Sequence, residues 1–369
     1  MLYQTCNSQR RVYKQNSGSV LRNKRMSWYY TCNNKKFINK IDVLREHYNS
    51  KQAIKFHIPE TYDDYDFTTP PIESLEELCK QKALELRASN DKIVVWYSGG
   101  CDSHYILNIF LKNNIKVDKL IMVKSGFEQA DFEIDQYAIP FAKSTGIKFS
   151  VRQPDMEYYK DYYINGKEML GTAHSIWHHF RLNNHFENLT HCETDGVANI
   201  FGKEKPKLCF IDGKWYTYFL DVEVTNQNHQ TNFFCDDPEI YSAQCHALIN
   251  QTQVMKNQSD YNLITHYDEH QDFWNRAIGR YTENNFPLKE LSIGDNFNNK
   301  DQIALAHADQ ELIHKWKQRT WELVAELGKE NFNAGNPALG TVGVFSKFYC
   351  ITEKSIKTVD ELFPNGFKL

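Results

Sequence analysis

Two adjacent glycines, two serine hydroxyls and a carboxylate stand within six residues, in the order Ser98-Gly99-Gly100-Cys101-Asp102-Ser103. Paired glycines let the backbone pass close to a ligand, and the N–H groups at the start of a following helix attract an anion. The two hydroxyls add hydrogen-bond donors for phosphate oxygens. A carboxylate repels a polyphosphate unless a divalent cation joins them, so Asp102 indicates Mg²⁺. These residues predict a phosphate site with a metal ion, and a glycine-rich turn without a ligand is the alternative.

A second loop begins with glycine and carries several charges: Gly202-Lys203-Glu204-Lys205-Pro206. It follows a strand predicted at 197–201, and a loop at the carboxyl edge of a parallel sheet faces the crevice in which nucleotides bind. At that place Lys205 would neutralise the negative charge that develops on a leaving phosphate group. An ordinary solvated loop lysine is the alternative.

The hydrophobic pattern shows the elements that would position both loops. An uninterrupted apolar run precedes the glycines, as in a strand buried on both faces of a parallel sheet, and helical spacing follows them. Strands are predicted at 93–97, 120–123, 148–151 and 197–201, alternating with helices at 74–86, 103–113, 131–144 and 167–186. The alternation predicts an α/β fold with a doubly wound, mostly parallel five-stranded sheet.

The segments on either side of this layer differ in character. Ile38 to Tyr48 has the spacing of one modest helix, and Asp212-Gly213 supplies the positive φ for a β-hairpin of 208–211 and 215–220. After residue 236 we predict a helical unit rather than more sheet, with helices at 238–254, 269–278 and 302–327. The predicted units are therefore a basic N-terminal segment at 1–69, an α/β domain at 70–235 and a helical C-terminal unit at 236–369.

The motif Ser-Gly-Gly-x-Asp-Ser after a first strand resembles the PP-loop of the ATP pyrophosphatases, an adenine nucleotide alpha hydrolase-like family. Cys101 occupies the variable position, and the other five positions match. The layout of 70–221 is similar to that of asparagine-synthase-like PP-loop proteins of bacteriophages, in which Gly-x-x-Lys-Pro and a short hairpin recur. The motif lacks the Gly-Lys-Ser/Thr ending of a Walker A loop, so transfer of the γ-phosphate is not indicated.

The resemblance implies a HUP/PP-loop fold and a ligase-type adenylating enzyme. Such an enzyme converts ATP to AMP and pyrophosphate with Mg²⁺, and it activates a carbonyl or carboxylate oxygen of an acceptor for attack by a nitrogen or sulfur nucleophile. Asp102 would then hold the metal and share the catalytic role with Lys205. ATP and pyrophosphate would contact Ser98, Gly99, Gly100, Cys101, Asp102, Ser103 and, at the end of the second strand, Val123.

Three accessory features of related enzymes are missing from the sequence. Leu2 follows Met1, so there is no cysteine at that position to serve as the N-terminal nucleophile of a glutaminase. The first 90 residues are also too short for a glutaminase unit, so ammonia from glutamine is not indicated. The nine cysteines are scattered without a C-x-x-C pair, which argues against a four-cysteine zinc site, an iron–sulfur cluster and a disulfide framework. The acceptor is left open between a small molecule and a nucleic acid. A second function, in a different class, is a module that binds ATP without turning it over.

Several other groups are weaker candidates, and each has a structural alternative. Three histidines lie close together and could contact a substrate, a tyrosine cluster could stack on a base, and acidic residues near strand ends could hold a second cation. Cys101 would lie at a helix N-terminus, where a thiol is more reactive. The residues concerned are His174, His178, His179, Tyr158, Tyr159, Tyr162, Tyr163, Asp131, Glu133, Asp135, Asp195 and Asp221.

Composition and charge set the wider class. The chain has 369 residues, of which 41% are hydrophobic and 24% are charged, so a folded protein with more than one structural unit is expected. No run of eighteen apolar residues occurs and the N-terminus is polar, so we predict a protein without membrane span or secretory signal. It would be cytoplasmic, in the host cytoplasm if it is phage-encoded.

Positive charge is concentrated at the N-terminus. Residues 1–51 hold eleven lysines and arginines against Asp42 and Glu46, a net charge of +9, whereas the whole chain carries −4. Such a segment either contacts the phosphate backbone of a nucleic acid or packs on the acidic body of its own chain or of a partner subunit. A homo-oligomer is left open.

Overall fold

The computed structural model describes residues 28–37, 40–124, 131, 134–152, 196–202, 206–221, 230–252, 314, 318, 321–322, 324–331 and 343–364. The first described strands form a three-stranded antiparallel sheet. Its strands are β1 (Tyr29–Cys32), β2 (Lys35–Phe37) and β3 (Lys55–His57), in the order β2-β1-β3, and helix α1 (Lys40–Ser50) connects β2 to β3. The helix confirms the sequence prediction, whereas these strands were not predicted.

Strands and helices alternate in the next part of the chain, as predicted. The elements are α2 (Leu75–Ser89), β4 (Lys92–Trp96), α3 (Cys101–Lys112), β5 (Lys119–Val123), α4 (Ile139–Thr145), β6 (Phe149–Arg152) and β7 (Val197–Phe201). Ser74 caps α2 by accepting a hydrogen bond from the Glu77 N–H at 3.2 Å. The helix predicted at 131–144 begins as a π-helical turn (Ile134–Ala138) that runs into α4.

The remaining elements combine strands with helix. They are β8 (Lys207–Ile211), β9 (Lys214–Tyr218), β10 (Gln230–Asn232), α5 (Pro238–Thr252), β11 (Phe348–Cys350), β12 (Ile356–Lys357) and α6 (Val359–Leu362). Asp212 and Gly213 have φ of +49° and +76°, which confirms the predicted hairpin turn. Helix α5 and the helical residues 324–327 agree with the prediction for the C-terminal part. That prediction is wrong for 348–357, because β11 and β12 extend the hairpin into an antiparallel sheet of order β12-β11-β9-β8.

The central sheet has five parallel strands in the order β10-β7-β4-β5-β6. Strand β4 comes first along the chain, β5 and β6 extend the sheet on one side of it, and β7 and β10 extend it on the other. The strand order therefore reverses between β4 and β7. In open α/β sheets such a switch point leaves a crevice at the carboxyl ends of the strands, where ligands bind. This confirms a parallel five-stranded sheet in an α/β fold.

Both faces of the central sheet are buried. One face packs on apolar residues of α2, α3 and α4, including Leu78, Ile106 and Ala142. On the other face, Trp96 and Phe201 stack with their ring centroids 5.2 Å apart. A doubly wound arrangement also needs a helix on this second face, and the helix predicted at 167–186 lies outside the described residues.

A second hydrophobic cluster joins distant parts of the chain. Tyr30 and Tyr62 come from the N-terminal part, Phe219 follows the hairpin, Tyr241 lies on α5 and Tyr349 on β11. This shared cluster therefore crosses the predicted boundaries at 69 and 235, which stay predictions. Within the described part of the chain, no helix combines the length and the apolar character that a membrane crossing requires.

Candidate functional site

The predicted strand, glycine turn and helix are present between β4 and α3. The Tyr97 N–H still bonds to the Ile121 carbonyl on β5 at 2.8 Å, so the chain leaves the sheet at Ser98. Gly99 has φ +79°, in the left-handed region that favours glycine. Gly100 is extended and precedes the first residue of α3, Cys101, without a side-chain cap. The helix thus begins directly behind the turn, and its N-cap residue is a glycine, which has no side chain to act as a cap.

The two serine hydroxyls hold the turn together. Ser98 Oγ accepts the Gly100 N–H at 3.2 Å, and Ser103 Oγ accepts the Ser98 N–H at 3.3 Å. The Ser103 hydroxyl donates to the Gly100 carbonyl at 3.1 Å and lies 3.2 Å from the Ser98 hydroxyl. Ser103 is buried and Ser98 is exposed. Ser98 is therefore accessible to a ligand, while the buried Ser103 stabilises the turn through its hydrogen bonds.

The first turn of α3 presents backbone donors to the same place. The earliest bond within the helix runs from the His104 N–H to the Gly100 carbonyl at 3.0 Å, so the N–H groups of residues 101–103 precede the helical ladder. These groups and the positive end of the helix dipole favour an anion. Asp102 lies in this turn and is partly exposed, as is Cys101. The loop can accordingly hold an anion next to one carboxylate.

Gly202, the first residue after β7, touches this turn from the neighbouring strand. Strands β4 and β7 are paired up to Trp96 and Phe201, so their loops leave the sheet side by side. A Cβ atom on Gly202 would stand 2.7 Å from the Ser103 nitrogen and 2.8 Å from the Asp102 carbonyl carbon. Only glycine fits this close approach without a shift of the backbone. The glycine turn and Gly202, the first residue of the second loop, therefore meet at the switch point of the sheet.

The catalytic residue predicted on the second loop, Lys205, lies outside the described residues together with 203 and 204. Gly202 and Pro206 on either side of it are described. The loop therefore starts at the carboxyl end of β7, the sheet edge that the sequence predicted for it, while the role of Lys205 stays a prediction.

Three further groups lie at the carboxyl ends of β5 and β6. Val123, which the sequence predicts to contact ATP, is 7% exposed and pairs with Arg152. Lys124 follows Val123 and forms an ion pair with Asp135 at 2.6 Å. The Arg152 guanidinium carbon lies 5.4 Å from the centroid of the Trp96 ring. Val123 thus lies at the same carboxyl edge of the sheet as the glycine turn, together with the basic residues Lys124 and Arg152.

The donors present fit a polyphosphate with Mg²⁺. Backbone N–H groups at a helix start bind phosphate oxygens, and Mg²⁺ is typically held by one or two carboxylates plus substrate phosphates. Asp102 supplies one carboxylate. Among the described residues no group of three or more acidic, histidine or cysteine side chains could hold a metal alone, so a cation here would depend on the phosphates for the rest of its shell.

Only some of the additional candidate residues from the sequence lie within the described part of the structure. The histidines at 174, 178 and 179, the tyrosines at 158–163, Glu133 and Asp195 lie outside the described residues. Asp131 is buried, and its carbonyl accepts N–H groups of the following turn. Asp221 lies in the second hydrophobic cluster, where Tyr30 and Lys40 bind its carboxylate. Its environment therefore indicates a structural role.

Sequence reasoning missed two features of this site. The contact of Gly202 with α3 joins residues about a hundred positions apart, so no local sequence pattern indicates it. Arg152 follows a predicted strand, and a basic residue at such a position is too common to indicate a site. Comparison of the chain with protein-family models gives no match, and no curated protein sequence matches it.

Proposed function

We propose that the protein is an ATP-dependent adenylating enzyme that forms AMP and pyrophosphate. The observation that carries the proposal is the meeting of the glycine turn and Gly202 at the switch point between β4 and β7. The N–H groups of residues 101–103, the accessible Ser98 hydroxyl and the Asp102 carboxylate stand together there. This set suits the pyrophosphate end of ATP bound with Mg²⁺.

The reaction class follows from the likeness of the turn to a PP-loop. An acceptor carbonyl or carboxylate oxygen would bond to the α-phosphorus of ATP while the bond to the leaving pyrophosphate breaks. A nitrogen or sulfur nucleophile would then displace AMP from the activated acceptor. Binding pyrophosphate more tightly as its charge develops would lower the barrier, and Lys205 is the residue proposed for that role.

Two variants test the proposal through separate parts of the site. Asp102→Asn should weaken Mg²⁺-dependent ATP binding and lower pyrophosphate release at least about 100-fold, because one metal ligand is lost. Gly202→Ala should weaken ATP binding about tenfold, because its methyl group would push on the backbone at Asp102 and Ser103. Binding is measured by calorimetry, and pyrophosphate release is measured with carboxylate, carbonyl and oligonucleotide acceptors.

Matched controls separate these effects from loss of fold. Asp212→Asn removes a carboxylate from the hairpin turn, and Gly213→Ala adds a methyl group there in open space. Neither should change ATP affinity, although Gly213→Ala lowers stability because its φ is positive. Absence of ATP binding by the unaltered protein would refute the proposal. Binding without pyrophosphate release on any acceptor would favour the non-catalytic module instead.

A further inference from the structure

The N-terminal sheet has a solvent face that the ATP proposal does not use. Along β1, β2 and β3, side chains that point into the second hydrophobic cluster alternate with side chains that point outward. Cross-strand register pairs Tyr29 with His57 and Thr31 with both Lys36 and Lys55. These five residues form what we call the basic–aromatic face.

Contacts on the basic–aromatic face arrange its rings and cations in a row. The rings of Tyr29 and His57 stack with centroids 4.6 Å apart and an interplanar angle of 7°. The Lys36 ammonium lies 3.7 Å from the Tyr29 centroid, and Thr31 Oγ1 lies 2.8 Å from His57 Nε2. Lys36 and Lys55 are exposed. The row therefore combines flat rings with accessible positive charge.

Most of the charged groups that act on His57 are lysines. Burial lowers the pKa of His57, and the positive charges of Lys347 and Lys55 lower it further, while Asp63 opposes them. Lys347 is itself paired with Asp63 at 2.6 Å. The sequence that leads into β1, residues 1–27, holds six lysines and arginines and no acidic residue. In the sequence, a stretch with only positive charge thus directly precedes the strand that carries Tyr29 and Thr31.

We propose that the basic–aromatic face binds single-stranded nucleic acid. Lys36 and Lys55 would contact phosphates, and the stacked rings of Tyr29 and His57 would receive a base. A base that stacks on Tyr29 displaces the Lys36 ammonium from the ring, and that ammonium can then meet a phosphate. A duplex keeps the faces of its bases inside the helix, so the aromatic pair favours a single strand.

The two lysines of β2 offer a matched pair for the test. Lys36 belongs to the basic–aromatic face, whereas its neighbour Lys35 pairs with Glu46 at 2.7 Å and is not part of that face. Binding of fluorescent oligothymidylate and oligouridylate to the full-length protein is measured by anisotropy at increasing KCl, without ATP. Lys36→Gln combined with Lys55→Gln should reduce the slope of log affinity against log salt by about 1.4, since each phosphate contact on a single strand contributes about 0.7.

Further variants and ligands decide the outcome. Tyr29→Leu should weaken binding about tenfold with an unchanged salt slope, because stacking releases no counterions. Lys35→Gln should leave the slope as it is, and circular dichroism checks that each variant is folded. The inference is overturned if the unaltered protein binds neither oligonucleotide at low salt, or if Lys35→Gln reduces the salt slope as much as the Lys36→Gln, Lys55→Gln double variant does. Equally tight binding of a duplex or of polyglutamate also overturns it. Since ATP is absent, failure here leaves the ATP proposal untouched.

Discussion

At the scale of single residues, Asp236 has the environment with the clearest consequence for stability. Its carboxylate follows β10 and accepts the Asn232 N–H at 2.7 Å. Burial raises the pKa of Asp236 to about 6, although the nearby charge of Lys82 and the Asn232 N–H lower it in part. The folded state therefore holds a proton on this carboxyl at pH values where the unfolded chain has released it.

This raised pKa predicts a pH-dependent effect of Asp236→Asn. The stabilisation from the bound proton is complete below the unfolded pKa of 3.8 and is lost as pH rises through about 6. The native protein should thus lose at most about 3 kcal/mol between these values relative to the variant, which cannot titrate. Urea unfolding of both proteins from pH 4 to 8 checks this. A difference in unfolding free energy that stays constant between pH 4 and 6 would contradict it.

At this scale, residues could be predicted where the pattern that marks them lies within a few positions along the chain. Gly99 and Gly100 were identified because a strand, a turn and a helix follow one another within a few residues. The packing of Gly202 on Asp102 is a tertiary contact, so no local pattern encoded it. Lys205 was singled out by the same reasoning that found Gly202, and its role stays a prediction.

At the scale of elements, a buried ion pair fastens the N-terminal part to the rest of the chain. Lys40, the first residue of α1, pairs with Asp221 after β9, and both side chains are at most 1% exposed. Tyr30 on β1 donates to the same carboxylate at 2.9 Å, and the Val344 N–H donates to it at 2.7 Å. Burial lowers the pKa of Lys40, and the charge of Asp221 opposes that shift. One carboxylate therefore connects three separate segments.

Asp221→Asn should destabilise the protein by about 3–5 kcal/mol, because it leaves the Lys40 charge buried without a counter-ion. Replacing both partners by apolar residues, Lys40→Met with Asp221→Leu, should recover part of the loss. The exposed pair of Lys35 and Glu46 serves as the control, and Lys35→Gln should cost less than about 1 kcal/mol. Urea unfolding measures all four proteins. Equal losses for Asp221→Asn and Lys35→Gln would rule out this role.

The sequence predicted long or fully buried elements better than short ones. Strand β4 is apolar after Lys92, β7 is apolar except for Asn199, and Ser74 marked the start of α2, so these elements were found within a few residues. Strands such as β10 and β12 have only two or three residues, too few for an alternating pattern. They form because neighbouring strands offer them partners, and this explains why sheet was missed at the C-terminal end.

At the scale of the whole molecule, the cluster around Tyr62 argues against independent units. The Tyr62 hydroxyl donates to the Cys235 carbonyl at 2.7 Å, and this bond joins the predicted N-terminal segment to the last residue of the predicted α/β domain. Its ring lies 5.2 Å from that of Phe219, 5.8 Å from that of Tyr241 and 6.2 Å from that of Tyr349. Residues from all three predicted units thus share one core. Turn residues near 69 and the change to a helical pattern after 235 suggested the boundaries, but neither signal carries information about such contacts.

A shared core predicts that these parts unfold together. Tyr62→Ala should lower the free energy of unfolding by about 3–5 kcal/mol, as removal of a fully buried aromatic ring does. Tyr48→Ala, at a ring that is 38% exposed, should cost less than about 1 kcal/mol. Tryptophan fluorescence and far-UV circular dichroism should report coincident urea transitions in the native protein, and both should shift together in Tyr62→Ala. If Tyr62→Ala moved one probe and left the other in place, the parts on either side of residues 69 and 235 would unfold separately, and the shared cluster would contribute little to the cohesion of the molecule.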